Sequence, residues 1–354
     1  MTVVTGAVWI DGSPLSPTAT YTTLNPTPGP TVTPYGSLKQ GSTVEATVNG
    51  ASSGTTLGFP AGPVDFSDFD SNGYGCMYWT NITGIVGAGI DATVMQMRPN
   101  SSTKAAQVPT AAFTTNQLYV VRVNNSGPGT PNLSGFTVLG TPQGHLYGGL
   151  LLFYPTGAQI TDVKVKGIPG NNSFPPGETF GINDFHGANT TFTRVEVDGT
   201  DSNGVQVGAA GIGFNKSAGA TIVDSYVHDH GHSHGVTNYA GTGQVTYRNV
   251  RSNRNWTALN FEQVVGTIVI DRCDVTGNRA VAAGGGPMHM VLDSSLGSSK
   301  VTITDPIFDG AQFTICCHTK YADGLPNRQV ASDVTLIVGG KPRPDLLRIV
   351  TNYT

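Results

Sequence analysis

Gly211–Asp229 reads GIGFNKSAGATIVDSYVHD, and the chain says the same thing several times over. The phrase opens on Gly and an apolar residue (Gly211, Ile212), crosses a small polar turn, and runs through a second apolar element from Ile222 to Val227. It appears earlier as GLLLFYPTGAQITDVKV (149–165) and GINDFHGANTTFTRVEV (181–197). It returns as GVTNYAGTGQVTYRNV (235–250), and more loosely over 258–275 and 289–308. In the second element one apolar residue stands five positions before another. The pairs are Leu133/Val138, Ile160/Val165, Phe192/Val197, Ile222/Val227, Val245/Val250, Ile270/Val275 and Ile303/Phe308, at steps of 27, 32, 30, 23, 25 and 33 residues. A constant phrase at a variable step is what stacked coils give when their strands are fixed and their outer turns carry insertions. A β-sandwich also has many short strands, but it has no reason to repeat one phrase. The expected fold is therefore all-β: a single-stranded parallel β-helix with an extended N-terminal arm and a C-terminal cap.

Composition agrees. Gly is 47 of 354 residues and charged residues are 12%, which suits tight corners and stacked polar ladders that hydrogen-bond rather than repel. A net charge of −4 speaks against a phosphate-neutralising surface, so no nucleic-acid partner is expected. No apolar run approaches the length that spans a bilayer, and no membrane insertion is expected. The opening MTVVTGAVWIDG lacks a basic segment ahead of an apolar core. The chain is expected either to be made and used in a cytoplasm or to be exported by a route not written in it, a condition that a virion part released by lysis would meet. Cys76, Cys273, Cys316 and Cys317 form no spaced framework and read as small buried apolar residues in a reducing compartment.

Three segments follow from the text. Residues 1–50 are crowded with Pro and Thr (PLSPTATYTTLNPTPGPTVTP) and read as an arm that attaches the rest to something else. Residues 51–310 are the β-helix, with outward insertions near 98–130, 167–179 and 277–287. Residues 311–354 lose the phrase and are expected to cap the open end of the stack.

Aligning the first elements gives columns. Leu150, Ile182, Ile212, Val236, Leu259 and Met290 lead, and Leu152, Asp184, Phe214, Asn238, Phe261 and Leu292 follow two residues on; both columns should face inward. The alternate positions should face out. They carry Asn183, Asn215, Thr237, Tyr239 and Asn260, amides, a hydroxyl and a ring of the kind that bind sugars, and end in Glu262 and Asp293. These two carboxylates share a column on successive coils, about 4.8 Å apart at the backbone, close to the spacing of a retaining glycosidase. VHDHGHSHG (227–235) places His228, His230, His232 and His234 at alternate positions around Asp229. The tract offers a divalent-metal site at these four imidazoles, an acid–base site using Asp229, or a polar turn at a coil corner. No other cofactor is expected. Asp184 with His186, and Asp198 with Asp201, are further acidic candidates, the latter pair also reading as turn formers. No nucleophile elbow, phosphate-cradling loop or lyase-type cluster of Asp with Arg and Lys is present.

From Thr55, TTLGFPAGPVDFSDFDSNGYGCMYWTNITGIVGAGID resembles the entry coils of the pectate-lyase-like right-handed parallel β-helix superfamily; FPAG, ITGIVGAG and the later SGFTVLG (134–140) carry the likeness, which covers about 55–310. It implies a right-handed coil. That superfamily includes lyases, hydrolases, epimerases and non-catalytic phage tailspikes, so the likeness specifies fold better than chemistry. With the Pro/Thr arm it is most similar to the tailspike or minor tail proteins of bacteriophages. This implies a virion location, a homotrimer, an arm bound to other tail proteins and a β-helix bound to host cell-surface polysaccharide. A polysaccharide depolymerase (hydrolase or lyase) of the same fold and a purely structural virion subunit are the alternatives.

Overall fold

The computed structural model describes residues 54–66, 75–80, 83–97, 119–124, 130–140, 148–168, 179–201, 203–206, 208–321 and 324–352, with short strands at 9–10, 13–14 and 33–34. Within the unit Met1–Val32, Trp9–Ile10 pairs antiparallel with Ser13–Pro14. The remainder of the expected 1–50 arm lies outside the described residues, apart from Thr33–Pro34, which pairs in parallel with Thr56–Gly58. The insertions near 98–130 and 167–179 also fall largely outside them.

From Thr33 onward the chain is a right-handed parallel β-helix. One face is a ten-stranded sheet: Gly75–Thr80, Tyr119–Asn124, Gly148–Phe153, Phe180–Phe185, Ala210–Asn215, Val236–Tyr239, Leu259–Glu262, Met290–Asp293, Phe313–Cys316 and Leu347–Val350. Every neighbouring pair in it is parallel. The return strands (Asn132–Leu139, Gln159–Lys166, Ala188–Thr193, Ala218–Val223, Thr242–Arg248, Val265–Asp271, Lys300–Thr304, Val334–Val338) stack in the same way. In the middle coils a short third strand follows: Glu196–Asp198, Tyr226–His228, Arg251–Asn253. Among the described residues no helix is long and apolar enough to cross a membrane.

The inward columns of the ten-stranded sheet fall as expected. Leu150, Ile182, Ile212, Val236, Leu259 and Met290 are in register and buried. The Gly that opens each phrase is there because of close approach. A Cβ on Gly149, Gly181 or Gly211 would come within 2.2–2.5 Å of the Cγ1 of Val165, Val197 or Val227, the apolar column of its own coil's far side. Gly and Val are thus two halves of one contact. That is why they recur together in the sequence.

Two expectations need correction. Ile222 is opposed by Tyr247, not Val245, and Val227 by Ser252, not Val250. A bulge between Ala218 and Ala220 gives the next strand one extra residue, so Val245 and Tyr247 both turn inward. Tyr247 then joins a ladder of rings, 6.4 Å from Phe214 and 5.7 Å from Phe261. Ser252 keeps its polar atom satisfied inside by donating to the Ala258 carbonyl at 2.7 Å. Second, the coil does not stop at 310. Phe313–Cys316 and Leu347–Val350 extend the ten-stranded sheet, and Val334–Val338 extends the return face before turning back antiparallel onto Lys341–Pro342.

Candidate functional site

The outer column of the ten-stranded sheet runs Phe153, Phe185, Asn215, Tyr239, Glu262, Asp293, each in register with the next. Val291 pairs with Cys316, the last residue of its strand, and two residues on, the His318 backbone N–H bonds the Asp293 side chain. The column is therefore a continuous row on the outer face, with aromatic rings at one end and acids and an imidazole at the other.

At the acidic end the side chains converge. Glu262, Asp293, Asn260, His318, Lys320 and Tyr321 line an open cavity of ≈ 280 Å³. Glu262 accepts from the Asn260 amide at 2.6 Å and from the Tyr321 hydroxyl at 3.1 Å. Asp293 is more tightly held. Its Oδ1 accepts from the His318 backbone N–H at 2.8 Å and the Asn327 amide at 2.7 Å, and its Oδ2 lies 2.6 Å from His318 Nδ1. Burial, with the neighbouring Glu262 charge adding to it, raises the Asp293 carboxyl above the ordinary range, although His318 works in the opposite direction. Burial and Glu262 also raise the Tyr321 phenol, which stays protonated at neutral pH. The thiol of Cys316, pushed up to about 12 by burial and Asp293, lies 3.6 Å from His318 Nε2 and is a weak donor to it. Proton donors, acceptors and an oriented imidazole thus surround one solvent-open space, the inventory that general acid–base chemistry needs.

The five expected glycan-contact residues separate. Tyr239 is exposed and Asn215 half-buried, but Asn183, Thr237 and Asn260 are buried. Asn183 donates to the Tyr119 hydroxyl at 2.9 Å and accepts from Asn215 at 2.7 Å, so it supports the face rather than presenting itself. Inserted segments add cover at the acidic end: Ala280 and Ala282 of the 277–287 insertion, with Met288 just after it, pack over Val291 and Cys316, and 317–327 folds back across Glu262 and Asp293.

The His tract does not converge. His228 Nδ1 meets Asp229 at 2.6 Å; His230 is buried with Nδ1 2.7 Å from the Ala209 carbonyl and is lowered to about 4 by burial. His232 is exposed, and His234 bonds Thr257. Four alternate residues share a side only in a straight strand, and the strand ends at His228, with Asp229 at φ 64°. Asp229 is clamped by the Arg254 guanidinium at 2.7 and 2.8 Å, which with His228 holds its carboxyl below the usual range against burial. It sits on the third face, away from the Glu262 column. A different trio, Glu196, Asp198 and His228, brings one ligand atom each within 4.8 Å of the others. Lys164 and Lys166 already neutralise its carboxylates at 3.2 and 3.0 Å.

Asp184 is inside the coil, not at an edge beside His186. Its carboxyl faces the Thr190 and Ser217 hydroxyls, and burial raises it to about 7. Asp198 and Asp201 are turn formers, each accepting from backbone N–H groups two or more residues on.

His318 and Tyr321 were missed because they come after the repeated phrase is lost. Extending the column by one coil finds His318.

No protein-family model and no curated protein matches the chain. Solved structures to which it is similar include the enzymatically active domain of tailspike protein 2 of bacteriophage CBA120 (14% identity, 84% of this chain and 49% of that one, TM-score 0.39). Others are the A-module of the Azotobacter vinelandii mannuronan C-5 epimerase AlgE6 (12% identity, 87% and 91%, TM-score 0.35) and Geobacillus virus E2 ORF18 (12% identity, 77% and 57%, TM-score 0.31). The chain spans about half the length of that tailspike domain. The fold itself, a parallel β-helix, is established by the strand register of this chain.

Proposed function

We propose that this chain is a bacteriophage tail protein whose β-helix engages host cell-surface polysaccharide along the Phe153–His318 groove and cleaves it at the acidic end. The observation that carries this is the convergence of Glu262, Asp293, His318 and Tyr321 on one open cavity. A stiff groove with one period per coil suits a repeating polymer. The arm text and the lyase-like coil phrases supply the tail context.

The roles follow from which atoms are already engaged. Asp293 has both oxygens occupied and acts as a positioning residue: it fixes the proton on His318 Nδ1, so that Nε2, 3.6 Å from the weakly donating Cys316 thiol, is the atom that would accept a proton. Tyr321 donates its hydroxyl hydrogen bond to Glu262, and the two form the acid side. His318 would take a proton from water or from the sugar as the acid side gives one to the departing glycosidic oxygen. The first choice is hydrolysis and the second elimination. Purified surface polysaccharide incubated with the protein tests this. New reducing ends without unsaturated sugar report hydrolysis, and unsaturated ends report elimination. Polysaccharide that is bound but left intact supports a binding tail protein, and polysaccharide neither bound nor cut supports a purely structural subunit. Stacked coils of this kind are expected to act as a homotrimer, where avidity multiplies weak contacts.

A further inference from the structure

Two large aromatic side chains are exposed here, Tyr154 at 47% and Tyr239 at 38%; Tyr239 lies in the outer column and Tyr154 directly follows its member Phe153. Tyr239 is the coil neighbour of Glu262. Tyr154 follows Phe153 at the far end, four coil steps from Glu262, about 19 Å at the spacing of paired strands.

The surroundings of Tyr154 form a built platform. Its ring stacks on His186 at 4.8 Å and 15° and stands edge-on to Phe153 at 4.6 Å. Phe153 and Phe185 stack at 5.3 Å with planes 2° apart, and the Arg122 guanidinium lies 4.7 Å over the Phe153 ring. Three rings and a guanidinium on three successive coils therefore surround one phenol with nearly half its surface in water. Tyr154 and His186 also adopt φ of 54° and 55°, the left-handed corner conformation that large side chains disfavour. Other corners in the same series use Ala240 and Gln263. A lone exposed ring needs no explanation, but a braced one aligned with a reactive cavity does.

We infer that Tyr154 and His186 are a remote binding platform for the same polysaccharide chain whose bond lies at Glu262 and Asp293. This rests on the glycan reading above and sharpens it. The substrate is a linear glycan long enough to cover four coil steps, bound within its length and not by its end. An aromatic face stacks on the apolar side of a sugar ring with little regard to its substituents. Asn215 and Tyr239 bridge the interval with an amide and a hydroxyl.

The test uses the full chain with size-fractionated oligosaccharides, disaccharide to dodecasaccharide, of alginate, polygalacturonate, hyaluronan and dextran, titrated by calorimetry. Tyr154→Ala and Tyr154→Phe are compared with the unaltered protein, and melting curves confirm that each folds. The expected result is tighter binding of long fragments than short ones, a gap reduced about tenfold by Tyr154→Ala and preserved by Tyr154→Phe. Short fragments should bind all three proteins equally. Equal weakening of short and long fragments, or affinity independent of length, overturns the platform while leaving the glycan site standing. Binding of no fragment by any of the three proteins contradicts the glycan reading itself.

Discussion

His318 Nδ1 lies 2.6 Å from Asp293 Oδ2, and the His318 backbone N–H reaches the other oxygen of the same carboxylate at 2.8 Å. One residue thus holds the imidazole by its ring and by its main chain. His318 lies two residues past the strand end at Cys316, so the pair is made where the chain leaves the ladder and is held by these contacts to the Asp293 side chain.

Asp293→Asn keeps the shape but presents a donor or a neutral oxygen to His318 Nδ1, releasing the imidazole from its tautomer. Cleavage should fall by about a hundredfold or more with KM little changed, within the range attributed to general acid–base groups. Because Asp293 is raised by burial and by Glu262, activity should also fall on the acid side at a pH above the usual Asp range, as the carboxylate protonates and lets His318 go. The pH–rate profile of the unaltered protein checks this, and Asp293→Asn should flatten that acid limb.

Asp229 gives the opposite expectation. It is tied to Arg254 and His228 on the third face, and Asp229→Asn should leave cleavage within about twofold of normal. The Arg254 side chain is half exposed, so the pair adds no more than about 1 kcal/mol to stability. Steady-state rates and chemical denaturation of Asp229→Asn measure both.

Two buried titrations oppose each other. His230, lowered to about 4, is neutral in the fold while the unfolded chain protonates it below about 6.5, so its contribution is lost as pH falls through that window. Asp184, raised to about 7, holds a proton in the fold that the unfolded chain has released above about 4, so stability declines as pH rises through nearly the same window. Each slope is about 1.4 kcal/mol per pH unit and they have opposite signs. The unaltered protein should be nearly flat in stability between about pH 4 and 6.5 as far as these two groups decide it. His230→Gln should expose the falling slope and Asp184→Asn the rising one, read from unfolding midpoints across that range.

Gly211→Ala tests the Gly–Val contact. Its Cβ would fall 2.2 Å from Val227 Cγ1 and 2.3 Å from the Gly235 carbonyl oxygen, so the coil must spread. The expected loss is about 1–3 kcal/mol or more. Gly211→Ala with Val227→Ala should recover part of the clash, as a double-mutant cycle in thermal unfolding would show.

How much of this could be read from the residues follows from what each element leaves in the text. The Gly149, Gly181 and Gly211 phrase was legible because a close contact and a period-two strand both constrain residue type. So were the inward columns and the Glu262–Asp293 pairing, since a fixed phrase transmits register. The Tyr247 and Ser252 register was not. One extra residue at a bulge changes which side faces in, and Val245 and Val250 are buried as well, so either alignment looks apolar. The cover over Glu262 and Asp293 was hidden for another reason. It depends on segments such as 277–287 and 317–327 folding back over the sheet, and no periodicity marks where an insertion lands. The four His residues misled because alternation in sequence means one shared face only while the chain stays extended.

The central claim is that Glu262, His318 and the groove they end act on polysaccharide. The most direct measurement is the appearance of new chain ends when purified surface polysaccharide is incubated with the full chain and with Glu262→Gln and His318→Gln. New ends from the unaltered protein, reduced about a hundredfold or more in both variants while the bound fraction of polysaccharide stays the same, are the predicted result. Equal cleavage by all three proteins, or none by any of them, would contradict it.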